Sequence, residues 1–282
     1  MRACSRNMNT VTAAEQGLAQ LQNLLASVPF SRGSEPQCHF LNIYKISHAE
    51  LAALDLTEAR WDQLFPISAN KLLKLGISLG NLLRSYELES DAFQRRTPHL
   101  SASDPFDEAL SERTKTMPAH HLSFARNFVL ILKNFNVGVA RRGKSDDSSS
   151  GTASSSTSGS PIKLRSRQLL IEKLEINIRL DCLFTIKVVL QMLVASFEVA
   201  LRLLRAATEL GDTAVLSTIR VYSESSSEVS KVSGTPSDFF TYLNEALVRV
   251  SSGVVEPLTA LLLEELVEPL VIASCQNLVA GM

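Results

Sequence analysis

Residues 121–145 read HLSFARNFVLILKNFNVGVARRGKS, and two incompatible folds overlap in that stretch. Its last eight residues, GVARRGKS at 138–145, satisfy the phosphate-loop pattern G-x-x-x-x-G-K-[ST] through Gly138, Gly143, Lys144 and Ser145. That motif works when a buried strand delivers a glycine turn whose amides cradle phosphates, and Lys and Ser/Thr open a helix pointing at the anion. The residues before the match argue for something else. Phe124, Phe128, Ile131, Leu132 and Phe135 fall on one face at helical spacing, while Arg126 and Asn127 recur as Lys133 and Asn134 on the other. A strand needs period two, and the polar pairs break it. After the match comes RRGKSDDSSSGTASSSTSGSP (141–161), a serine-rich tract with a single alanine as its apolar content, too little to offset the entropy of ordering. Both flanks are wrong for a phosphate loop. The sequence therefore predicts a helix closed by Gly138, followed by a disordered linker. A nucleotide hydrolase using Lys144 and Ser145 is the rival.

Outward from this stretch, apolar spacing is helical along the chain. Leu18, Leu21, Leu24, Leu25 and Val28 form one face, stopped by Pro29. Ser47 and Glu50 make a capping box, and a short helix over 58–65 carries Trp61 and ends at Pro66. From Ser68, Leu72, Leu75, Leu79, Leu82, Leu83 and Tyr86 share a face opposite Lys71, Lys74, Asn81 and Arg84. Gly76 and Gly80 in that helix either admit a close neighbour or are tolerated at a cost; both readings stay open. The polar stretch 90–118 reads as a loop with one short helix over 105–113.

Beyond the linker, Lys187, Gln191, Glu198, Arg202, Arg205 and Glu209 make one narrow polar stripe on an otherwise apolar helix, ended by Gly211 and Asp212. TPSD at 235–238 opens another helix, with Phe239, Leu243, Leu247 and Val250 facing inward. VEPL at 255–258 returns at 267–270, each proline at an expected helix start, which suggests two short helices end to end. The organisation expected is helical repeats over 1–140, a disordered Ser-rich linker over 141–163 and further repeats over 164–282, the two helical parts forming one continuous solenoid.

Composition narrows the function. With 282 residues and 45% hydrophobic content the chain can bury a large core. Lys plus Arg number 28 against 29 Asp plus Glu, and a net charge of -1 leaves no field to draw the chain to nucleic acid or an anionic membrane. Cys4, Cys38, Cys182 and Cys275 form no C-x-x-C pair, which fits a reducing compartment, with the cytoplasm as the expected location. The N-terminal residues show no apolar run of signal-peptide length. Val188–Leu204 is very apolar, yet it carries Gln191, Glu198 and Arg202 and falls short of the ~20 residues a bilayer needs. It reads as a buried helix, with a membrane-associated protein as the second rival.

No constellation of catalytic or metal-ligating residues is legible. The five histidines, His39, His48, His99, His120 and His121, lack H-E-x-x-H or metal spacing, and His120 with His121 reads as an exposed helix entry. No G-x-S-x-G elbow occurs. No cofactor or metal is expected. Arg142 stands three residues before Ser145, the basic-then-serine arrangement many kinases accept, so Ser145 is a candidate phosphorylation site.

HLSFARNFVLILKNFNVGV, with its Arg126–Asn127 and Lys133–Asn134 pairs, resembles an armadillo-type repeat helix of the ataxin-10 family. LQMLVASF (190–197) and CQNLVAGM (275–282) look like further repeat helices, the latter with another helix expected to follow. The resemblance implies an all-α, armadillo/HEAT-like α-solenoid, here interrupted by the disordered Ser-rich insertion, that binds proteins and scaffolds cytokinesis or signalling without catalysis. On this reading Arg126, Asn127, Lys133 and Asn134 are the candidate partner-binding residues.

Overall fold

The computed structural model describes residues 2–30, 36–54, 56–96, 119–138, 180–211 and 236–280. The expected linker over 141–163 and the short helix over 105–113 lie outside them. Helices α1 (Arg2–Ser27), α2 (His48–Ala53), α3 (Glu58–Leu64) and α4 (Ala69–Arg96) form the first part. The capping box at α2 is complete: the Glu50 N–H donates to Ser47 Oγ at 3.2 Å, and the Ser47 N–H to Glu50 Oε2 at 2.7 Å. Trp61 of α3 is fully buried, stacks at 4.6 Å on Phe65 and donates its indole N–H to the Ile67 carbonyl at 3.0 Å. Asp62 of α3 then caps α4, accepting the Ala69 N–H at 2.9 Å. Side chains thus satisfy an orphan donor at the starts of α2 and α4.

The second part holds α5 (Ala119–Asn134), α6 (Cys182–Gly211) and α7 (Pro236–Val250). Helix α5 ends in a Schellman closure: Asn136 is left-handed at φ 56°, the Val137 N–H reaches the Leu132 carbonyl at 2.9 Å and the Asn136 N–H that of Lys133 at 3.0 Å. Asn136 closes the helix, which corrects the expectation for Gly138. Gly138, at φ +71°, serves tertiary packing instead: a Cβ there would stand 2.7 Å from Arg249 Cα.

The helices enclose one core. Helix α4 packs on α6, α6 on α1, α1 on α7, α7 on α5 and α5 back on α4, closing a ring. Phe128 of α5 and Phe197 of α6, both buried, meet edge to face at 5.7 Å. The α4–α6 contact settles the glycine question at Gly76, whose added Cβ would meet Val189 Cγ2 at 3.2 Å; at Gly80 the nearest atom, Met192 Sδ, is at an ordinary 3.7 Å. The all-α class expected from periodicity is present, with no strand among the described residues and only an isolated bridge between Phe40 and Tyr44. The arrangement differs from a linear stack. Solenoid repeats touch only their sequence neighbours, whereas among the described helices α1 packs against α6 and α7, more than 150 residues further along the chain. The described helices therefore share the all-α class, and their contacts close a ring.

After α7 the chain does not break at its prolines. A π-helical turn over Ser251–Val255 leads into α8 (Glu256–Leu262), and a second over Leu263–Val267 leads into α9 (Glu268–Ala280). The Glu256 N–H bonds the Ser251 carbonyl and the Glu268 N–H that of Leu263, five residues back in each case. A proline in a helix lacks its own N–H and presses on the carbonyl four residues before it, and widening the preceding turn relieves that clash. The two VEPL echoes are therefore two π turns in one continuous helix over 236–280, and the expectation of two separate short helices is corrected. Gly253 in the first turn touches the closure of α5: a Cβ there would come within 2.2 Å of the Gly138 nitrogen.

Candidate partner-binding surface

The four residues expected to face a partner fare unequally. Arg126 and Asn127 are half-buried, and Asn127 Nδ2 donates to Ser123 Oγ at 3.4 Å. Lys133 and Asn134 are exposed, but Lys133 Nζ pairs with Glu245 Oε1 at 2.9 Å and Asn134 also has a partner. Glu245 accepts from Arg249 Nε at 2.9 Å, and Arg249 Nη1 donates to the Val137 carbonyl at 3.0 Å. Burial pushes the Glu245 carboxyl up, yet the hydrogen bonds from Lys133 and Arg249 outweigh it and hold it below the usual carboxylate range. This network ties the end of α5 to α7, so Lys133 is engaged within the fold.

Lys144 and Ser145 lie outside the described residues. What precedes Gly138 is helix α5, where the phosphate-loop geometry places a strand. His120 and His121 are not an exposed entry. They sit half-buried among Tyr86 and Phe93 of α4 and Phe124 of α5, with Tyr86 5.1 Å from Phe124, Phe93 5.3 Å from His120 and the two imidazoles 4.3 Å apart. Burial, then the neighbouring His120, lowers the His121 pKa to about 4, and burial lowers that of His120. The signal was an aromatic at helical spacing on the preceding helix, invisible until α4 and α5 pack. Cys182 is buried, and burial followed by Glu58, Asp181 and Asp62 pushes its thiol up to about 11, away from nucleophilic use. Among the described residues, no group of three or more His, Cys, Asp or Glu could hold a metal ion.

Two surface features remain. One is an open groove of about 570 Å³ between α1, α4 and α6, walled by Leu18 and Leu83, floored by Ala195 and Val199 and edged by Glu87 and Arg202. The other is α9. This helix, EPLVIASCQNLVA, is mostly apolar and buries none of its residues; Ile272 is 56% exposed, Leu278 73% and Val279 75%. Cys275 lies exposed among them. The remaining apolar helix singled out in the sequence, Val188–Leu204, lies in α6, with half of its most apolar window buried against the bundle. No family model matches the chain, and no curated protein or solved structure does.

Proposed function

We propose that this chain is a non-catalytic helical scaffold that binds a protein partner, with α9 as the principal contact. The observation carrying this is the free apolar helix. Ile272, Leu278 and Val279 are large side chains left in water on one short element that buries none of its residues, whereas exposed large apolar residues elsewhere, such as Leu88 and Phe184, stand on helices that bury others in the core. Exposed apolar side chains gathered on one element mark protein–protein contact, and a helix recognised lengthwise is a recurrent mode. The likeness of α5 to an armadillo-type helix supports the same class, a protein working by surface complementarity in the cytoplasm, with cytokinesis or signalling as the setting that likeness implies. Arg126 and Asn127 remain candidate secondary contacts.

The test compares the full chain with an Ile272→Asp/Leu278→Asp variant in affinity capture with mass spectrometry, alongside the rate of Cys275 alkylation. Partners lost in the variant, together with slower Cys275 alkylation when those partners are present, support the reading. Partners captured equally by both proteins remove α9 from the interface. Magnesium-dependent binding of ATP or GTP that vanishes in Lys144→Ala would replace the scaffold with a nucleotide hydrolase.

A further inference from the structure

We infer that the surface running from α8 into α9 takes a partner helix whose apolar stripe is edged by lysine or arginine; this deepens, and rests on, the scaffold reading. From Val250 to Ala280 the sequence contains no Lys or Arg, while Glu256, Glu264, Glu265 and Glu268 all fall there. Their placement is ordered. Glu256, Ala260, Glu264 and Glu268 are four apart along the helix; all but Ala260 are acidic, all are exposed, and the row leads directly to exposed Ile272. Glu265 is occupied by Arg60 at 2.8 Å and Glu256 accepts from Ser251 Oγ at 3.1 Å, but Glu264 and Glu268 make no ion pair among the described residues. Two carboxylates four apart on a helix repel each other, and a cation laid beside them relieves that.

The same features argue against other occupants. A second copy would bring one carboxylate row against another in a parallel pairing, or against the negative end of a helix dipole in an antiparallel one. An anionic bilayer meets the same repulsion. A basic-edged amphipathic helix lying along 256–280 covers Ile272 and Val279, which are seven residues apart and share a face, and neutralises the row in one contact.

The probes are three fluorescein-labelled amphipathic peptides of equal length with one leucine stripe at helical spacing, edged by Lys, Gln or Glu. Anisotropy with the full chain should rank Lys above Gln above Glu, with the Lys peptide roughly three- to tenfold tighter than the Gln peptide and the margin shrinking with salt. Glu264→Lys/Glu268→Lys should reverse the ranking, and Ile272→Asp should weaken all three peptides. Equal binding of the Lys and Gln peptides, with Ile272→Asp still weakening both, overturns the basic partner and leaves α9 as an interface. Absence of peptide binding, with self-association or uptake by phosphatidylcholine vesicles that Ile272→Asp abolishes, overturns the basic partner in favour of a second copy or of lipid. Peptide binding unaffected by Ile272→Asp overturns both readings. Native Trp61 fluorescence confirms that each variant is folded.

Discussion

At the scale of single residues, backbone approach and burial decide the outcomes. Gly253→Ala inserts a methyl within 2.2 Å of the Gly138 nitrogen, backbone that cannot move aside cheaply. The expected cost is roughly 1–3 kcal/mol, the range of overpacked sites. Gly80→Ala should do the reverse: its Cβ finds ordinary contact at 3.7 Å, so removing glycine from a helix interior gains up to about 1 kcal/mol. Urea titrations followed by Trp61 fluorescence measure both, and equal shifts in one direction would refute the described approach of Gly253 to Gly138. The histidine pair makes stability pH-dependent. His121 has a pKa of about 4 in the fold against 6.5 ordinarily, so the unfolded chain takes up the proton first as pH falls. Its contribution is complete above pH 6.5 and is lost progressively as pH drops towards 4. The urea midpoint should fall between pH 7 and pH 5, and His121→Phe, which keeps an aromatic ring in the cluster, should flatten that slope. An unchanged slope would place the titrating group elsewhere.

At the scale of elements, α6 and the long helix over 236–280 carry opposite loads. Leu193 on α6 is fully buried between helices, and Leu193→Ala should cost about 2–5 kcal/mol, whereas exposed Gln191→Ala should stay within ~0.5 kcal/mol. Thermal melts of the two variants check the placement of the polar stripe. In the long helix, each π turn precedes a Glu-Pro pair, so the period of the VEPL echo is the period of the widened turns. Those turns keep Val254, Leu258, Leu262 and Leu266 in the core while the exposed row stays on the outside.

At the scale of the whole molecule, ring closure makes the two ends interdependent. Helix α1 contributes buried Ala14, Leu21 and Leu24, with Val28 just past its end, and packs on α6 and α7; Glu15 pairs with Arg205 at 2.9 Å. Deleting residues 1–28 should therefore remove a large share of the ~5–15 kcal/mol that holds a domain, and the cooperative unfolding of Trp61 should be lost. A linear stack losing a terminal repeat would keep its remaining cooperativity, so a truncated chain with a near-native transition would favour the solenoid.

What the sequence determined by itself was local. The period-3.6 faces of α1, α4, α5 and α6, the Ser47–Glu50 capping box, the end of α3 before Pro66 and the Gly211 end of α6 were all legible, because hydrophobic spacing and capping act within a few residues of chain. The tertiary structure decided the rest. Periodicity says that a face is buried and not which helix buries it, so repeats stacked in a line and helices closed in a ring give the same pattern. Lys133 looked free until Glu245 arrived from a helix far along the chain, and the His120–His121 pair looked exposed until α4 supplied Phe93 to His120 and Tyr86 to both. For α9 the sequence marks an apolar helix but not what covers it, and only the placement of the other described helices leaves Ile272, Leu278 and Val279 exposed.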